Sequence, residues 1–81
     1  MRIEVKLFAQ ARERVGSGTA RLELPDGSRV TDALAALVRA HPALADLRPH
    51  LAVAIDGALA RPDDALFAGC ELALLPPVSG G

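Results

Sequence analysis

Short runs that alternate apolar with polar or small residues limit the fold of this sequence more than any other feature. Three runs show the pattern: Ile3, Val5 and Leu7; Ala20, Leu22 and Leu24; and Leu51, Val53 and Ile55. A period of two is typical of a strand with one buried face. A further strand is predicted over residues 71–75. The sequence therefore indicates a sheet that is covered on one side.

One longer segment has the spacing of a helix instead. Leu34, Leu37 and Val38 share one helical face. We expect this helix to begin with Thr31 as its N-cap and to end near His41, because the proline that follows disfavours helical geometry in the residue before it.

Smaller signals complete the order of elements. Residues 9–15 favour a short helix that ends at Gly16. The segment 43–50 is expected to be an irregular or short helical connection. Asp56-Gly57 predicts a tight hairpin that leads into a short strand over residues 58–60. The main order of strand, strand, helix, strand, short strand and strand predicts an α+β fold, with one mixed sheet and one main helix packed on one face.

Size and composition exclude several classes of protein. The 81 residues suffice for one domain with a modest core. A net charge of −1, with two Phe and no Trp or Tyr, argues against nucleic-acid binding. No apolar run is long enough for a signal peptide or a membrane span. A single cysteine cannot form an internal disulfide. We therefore expect a cytoplasmic protein.

A conventional active site is not predicted by these residues. His41 and His50 have no second imidazole or cysteine at metal-ligand spacing, so no metal site is predicted. Cys70 has no recognisable base beside it, and a small buried apolar role is favoured. Arg12 and Arg14 are two residues apart on a short helix and do not share a face.

The tail is the exception. Glycine is about 7% of residues in proteins generally, so a final Gly-Gly arises by chance in roughly one chain in two hundred. Pro76-Pro77 cannot continue a sheet ladder and stiffens the segment that carries Gly80-Gly81. Without Cβ atoms, the two glycines can enter a narrow channel and leave the last carbonyl open to attack. We expect residues 76–81 to be a flexible functional tail of a single domain that spans residues 1–81.

Residues 7–16 and 71–81 carry a resemblance to a known family. The FAQ-x-RE-x-x-G opening and the PPVSGG ending resemble the small subunit of molybdopterin synthase, the MoaD family. The broader ubiquitin-like sulfur carriers share only the diglycine. The resemblance implies a β-grasp fold, in agreement with the order of elements.

The same resemblance implies a reaction cycle. An E1-like (MoeB-like) enzyme would use ATP to adenylate Gly81, and a sulfur donor would convert the adenylate into a thiocarboxylate. The carrier would then dock on a large (MoaE-like) subunit, in a heterotetramer, and pass sulfur to precursor Z to build the dithiolene of molybdopterin. Catalytic side chains would belong to that large subunit, and the carrier would bind no permanent cofactor. The residues expected in the partner's channel are Leu74, Pro76, Pro77, Val78, Ser79 and Gly80.

Three alternatives stay open. The chain could carry sulfur for thiamine synthesis or tRNA thiolation. It could be a protein modifier whose Gly81 forms isopeptide bonds with lysines. It could also be a plain interaction domain without tail chemistry.

Overall fold

A computed structural model describes residues 1–76 of the chain. It contains five strands, two α-helices and two 3₁₀ turns. The strands are β1 (Arg2–Leu7), β2 (Thr19–Glu23), β3 (Ala52–Ile55), β4 (Ala58–Ala60) and β5 (Glu71–Leu75). The helices are α1 (Ala9–Val15) and α2 (Val30–Ala40), and the 3₁₀ turns cover Pro42–Leu44 and Arg48–His50. The predicted positions of all five strands and both helices are confirmed to within about one residue at most of their ends.

The strands form one mixed sheet in the order β2-β1-β5-β3-β4. Strand β1 pairs antiparallel with β2 and parallel with β5, and β5 pairs antiparallel with β3. The first and last strands of this part of the chain therefore lie side by side in the middle of the sheet. This is the β-grasp topology, and the predicted α+β class is confirmed.

The core lies between α2 and one face of the sheet. Alternate residues of β1 point into it, and Ile3 and Val5 are fully buried. Leu37 is 1% exposed, and Leu34 and Val38 pack against the core from its margin. The predicted inward face of α2 is therefore correct, with Val30 and Ala33 as additional buried members.

The start of α2 differs from the prediction. The N-cap is Arg29 rather than Thr31, and the carboxylate of Asp32 accepts a hydrogen bond of 2.8 Å from the backbone N–H of Arg29. The backbone N–H of Thr31 donates to the carbonyl of Pro62 at 3.0 Å. A neighbouring loop thus satisfies a donor that a side-chain cap would otherwise have to satisfy, and the helix begins earlier.

The Asp56-Gly57 hairpin is confirmed. Both residues have positive φ, 47° and 85° respectively, as the favoured two-residue turn requires. The side chain of Asp56 also accepts a hydrogen bond of 2.9 Å from the backbone N–H of Glu71. The hairpin is therefore fixed to the start of the central strand. No helix within residues 1–76 is long and apolar enough to cross a membrane.

Candidate functional site

The predicted tail begins where the central strand β5 ends. Leu75 is the last residue in the ladder, and Pro76, which has no backbone N–H to donate, lies exposed just beyond it. Because β5 is held on both sides, by β1 and by β3, the point from which the tail starts is fixed by the sheet. Pro77, Val78, Ser79, Gly80 and Gly81, which carry most of the predicted site, lie outside the described residues.

Leu74 does not have the predicted position. Its side chain is 1% exposed and lies in the core together with Leu72. The alternation along a strand sends residues 72 and 74 inward and residues 73 and 75 outward. The prediction that the side chain of Leu74 contacts a partner is therefore corrected, and the outward neighbour Leu75 is the residue of β5 nearest the tail that a partner could reach.

The outer face of the sheet, opposite α2, carries an apolar patch beside the start of the tail. The strand register places five residues on it: Ala52, Ala54, Leu59, Ala73 and Leu75. Leu59 is 78% exposed, whereas a leucine side chain is usually buried in a folded protein. We call this surface the outer patch. The outer patch is not among the predicted sites. Its signal in the sequence is that strands β3 to β5 are apolar at consecutive positions, so that both of their faces are apolar.

The other half of the outer face is charged. Strands β1 and β2 present Arg2, Glu4, Lys6, Arg21 and Glu23 there. Arg2 and Glu23 form an exposed ion pair of 2.9 Å across the two strands. Across the strand order the outer face therefore changes from charged on β2 and β1 to apolar on β5, β3 and β4, and an apolar centre beside a polar rim is typical of a protein interface.

A cleft of about 250 Å³ lies at the base of the tail. Its walls come from the start of α1, from Leu47 and Leu51, and from Pro76. Phe8, at the mouth of the cleft, is 46% exposed. The cleft places Pro76, the first residue of the tail, beside mostly apolar side chains. Apolar surface is therefore found on more than one side of the point at which the tail begins.

The remaining candidate residues do not form a reactive group. Cys70 is 1% exposed within the core, which agrees with its predicted apolar role. His41 is half-buried and His50 exposed, and among residues 1–76 no three His, Cys, Asp or Glu side chains stand close enough to hold a metal ion. Thr31 accepts a hydrogen bond of 3.2 Å from Arg48 through its hydroxyl group.

Arg14 connects two elements that border the cleft. Its guanidinium donates to the carbonyl of Ala43 at 2.9 Å and to the carboxylate of Asp46, and so ties α1 to the segment after α2. The hydrogen bond from Arg14 lowers the pKa of Asp46 from its ordinary value. The contact gives Arg14 a structural role that its sequence position does not predict.

Comparisons with known proteins agree with this geometry. The family model of the ThiS family matches residues 5–81. Small archaeal modifier protein 1 of Haloferax volcanii is 46% identical over 87 aligned residues, which cover 98% of this chain and 100% of that protein. The molybdopterin synthase sulfur carrier subunit of Chlamydomonas reinhardtii is 41% identical over 83 aligned residues, which cover both chains fully.

Solved structures show the same fold. The crystal structure of the Haloferax volcanii protein superposes with a TM-score of 0.90 at 44% identity and covers 100% of both chains. A putative molybdopterin converting factor subunit 1 from Pyrococcus furiosus superposes with a TM-score of 0.85 at 27% identity, over 96% of this chain and 99% of that one. The fold and these matches along nearly the whole length show that the chain belongs to the ThiS family of ubiquitin-like sulfur carriers.

Proposed function

We propose that this chain is the sulfur carrier subunit of molybdopterin synthase. The observation that carries the proposal is the position of Leu75 and Pro76, which end the central strand beside the outer patch and lead into the tail. A domain of this kind presents its own end to other enzymes and takes their catalytic groups for the reaction. The full-length similarity to the Chlamydomonas reinhardtii carrier and the PPVSGG ending support the choice of molybdopterin as the product.

The chemistry would take place on the carboxyl group of Gly81. An E1-like enzyme transfers AMP from ATP to the carboxylate and releases pyrophosphate. Sulfide from a donor then displaces AMP and leaves a thiocarboxylate. The thiocarboxylate sulfur is the nucleophile toward precursor Z, and the tail holds it in place within the large subunit. ATP is bound by the activating enzyme and not by the carrier.

The outer patch would supply the docking surface. At a protein interface, the apolar patch that becomes buried contributes most of the binding free energy. The charged residues at the rim orient the two proteins and raise the association rate. Leu59 and Leu75 would be covered by the large subunit in the complex, next to the tail that enters its channel. The activating enzyme would use the same surface at another stage of the cycle.

A reconstituted reaction tests the proposal. The assay contains the activating enzyme, the large subunit, ATP, a sulfide source and precursor Z, and it measures dithiolene formation. Deletion of Gly81 should abolish product without changing the folded domain, because the core described for residues 1–76 is built from residues between Ile3 and Leu74. Cys70→Ser is the matched control and should keep sulfur transfer. Product from the Gly81 deletion, together with none from Cys70→Ser, would show that sulfur travels on the cysteine instead.

Protein modification is a second candidate function. It is favoured by the 46% identity to small archaeal modifier protein 1. Both functions begin with the same adenylate, and they differ in the nucleophile that displaces AMP: sulfide in one, a lysine amine in the other. Mass spectrometry of protein isolated from its host distinguishes them. A sulfur-for-oxygen exchange at Gly81 identifies a carrier, and isopeptide adducts on other proteins identify a modifier.

A further inference from the structure

Amines are rare in this chain, and their rarity matters in a protein whose tail is activated as an acyl group. Of its nine basic residues, eight are arginines, and Lys6 is the single lysine. Guanidinium groups stay protonated in proteins and do not attack acyl groups, whereas a lysine amine that has lost its proton is a nucleophile. The side chains of this protein therefore offer one amine to an activated carboxyl group.

Lys6 is placed where another molecule can reach it. It lies on β1, on the outer face of the sheet, and its neighbours across the strands are Thr19 and Ala73, both small. Its side chain is 38% exposed. The ammonium group lies 3.6 Å from the carboxylate of Glu4, whose side chain is 46% exposed. An ion pair between groups this exposed is weak and opens without a large cost.

The amino group of Met1 is in a different situation. It donates a hydrogen bond to the carbonyl oxygen of Leu24 in a partly buried contact, and it lies 3.6 Å from the carboxylate of Asp26. Acylation of this amine would remove its positive charge from beside Asp26 and place another chain in the partly buried contact between the start of β1 and the end of β2. Lys6 requires no such rearrangement.

We propose that Lys6 is the acceptor through which the activated tail of one copy acylates a second copy of the chain. The proposal rests on the adenylation of Gly81 proposed above. The amine of Lys6 attacks the carbonyl carbon of the Gly81 adenylate and forms an amide. The bond from that carbon to the phosphate oxygen breaks, AMP leaves with the electron pair, and the proton of the nitrogen passes to solvent. Each copy then has one donor and one acceptor, so the products are unbranched.

The experiment incubates the protein with the E1-like enzyme and ATP, without sulfide, and maps the products by peptide mass spectrometry. The expected product is an isopeptide between Gly81 and Lys6. Lys6→Arg, which keeps the positive charge beside Glu4, should reduce self-conjugates at least tenfold. In a parallel reaction with sulfide, Lys6→Arg should form as much thiocarboxylate as the natural protein, which shows that activation is intact.

Two results would overturn the proposal. One is an unchanged yield of conjugates from Lys6→Arg, with the linkage at the amine of Met1. The other is thiocarboxylate formation by the natural protein without any self-conjugate in the reaction that lacks sulfide. If the natural protein forms neither product, the proposed activation of Gly81 has itself failed, and the role of Lys6 fails with it.

Discussion

Neighbouring residues of strand β5 have opposite environments. Leu74 is 1% exposed and belongs to the core, whereas Leu75 points to the outer face and borders the tail. The two leucines are chemically identical and one residue apart, yet one holds the domain together and the other remains accessible on the surface. The lesson is that the pleat of a strand separates stability from recognition within a few ångströms.

The largest expected effect comes from shortening the buried leucine of this pair. Leu74→Ala should lower the free energy of unfolding by about 2–5 kcal/mol, because it removes buried methyl groups and leaves a cavity. Leu37→Ala, on the opposite wall of the core, should cost about the same 2–5 kcal/mol. In a domain this small, a loss of that size is a large part of the total stability. Urea denaturation monitored by circular dichroism measures the change.

Leu75→Ala is the matched control for Leu74→Ala. Its side chain is only partly buried, so we expect a loss below about 1.5 kcal/mol. Equal losses at the two positions would show that β5 does not alternate as described. An unchanged melting temperature for Leu37→Ala would show that the inward face of α2 is assigned wrongly.

The second prediction tests whether the exposed outer patch binds a partner. Leu59→Asp should leave the free energy of unfolding within about 0.5 kcal/mol of the natural protein, because the side chain is 78% exposed. Binding to the proposed large subunit should weaken at least about tenfold, which corresponds to roughly 1.4 kcal/mol. Isothermal titration calorimetry measures the affinity.

Arg21→Ala is the control on the charged half of the outer face. A rim charge affects the association rate more than the affinity, so we expect a change of less than about threefold in the dissociation constant. If Arg21→Ala weakened binding more than Leu59→Asp, the charged half of the face would be the main docking surface.

The third prediction concerns the hairpin that carries Leu59. Gly57→Ala should cost about 1–2 kcal/mol, because φ at this position is 85° and a Cβ atom disfavours that conformation. Gly18→Ala is the control: it has no positive φ, and a Cβ there would meet Arg12 only at an ordinary contact distance of 3.7 Å. Thermal unfolding measured by calorimetry should separate the two variants. Equal melting temperatures would mean that the turn conformation is not what limits the choice of residue.

The smallest effect is a dependence on pH at the border of the tail cleft. The hydrogen bond from Arg14 lowers the pKa of Asp46 in the folded protein. The carboxylate thus contributes stability above the pKa of the unfolded chain, and this contribution is lost as the pH falls through the folded pKa. Below about pH 4, Asp46→Asn should therefore show a shallower decrease of stability than the natural protein.

NMR titration of the carboxyl carbon of Asp46 measures its pKa directly. In Arg14→Gln this pKa should rise toward its ordinary value. The same pKa in both proteins would show that the contact between α1 and the segment after α2 does not exist in solution.

The sequence predicts the secondary structure of this protein better than it predicts the candidate docking surface. Hydrophobic period, the proline after His41 and the Asp56-Gly57 pair are local properties, and they locate the strands, the end of α2 and the hairpin. The start of α2 depends on a carbonyl from Pro62, which is distant in sequence, so the local pattern wrongly predicts Thr31 as the cap. The outer patch can be predicted only when the order of three strands is known, because Ala54, Leu59 and Ala73 become neighbours only through the sheet. The misplacement of Leu74 has a similar cause, because an apolar residue next to the tail is compatible with either face until the register is known.

The parallel pairing of β1 with β5 has a consequence for biosynthesis. Residues 2–7 are made well before their partner in the middle of the sheet, residues 71–75, from which more than sixty residues of the chain separate them. Until then β1 has one neighbour, and β3 and β4 have no connection to it through the sheet. Pairings this distant along the chain form late in folding. A nascent or prematurely terminated chain without β5 therefore lacks the sheet on which the outer patch is built. The outer patch would thus form only on chains that already contain residues 71–75, the last strand before the tail.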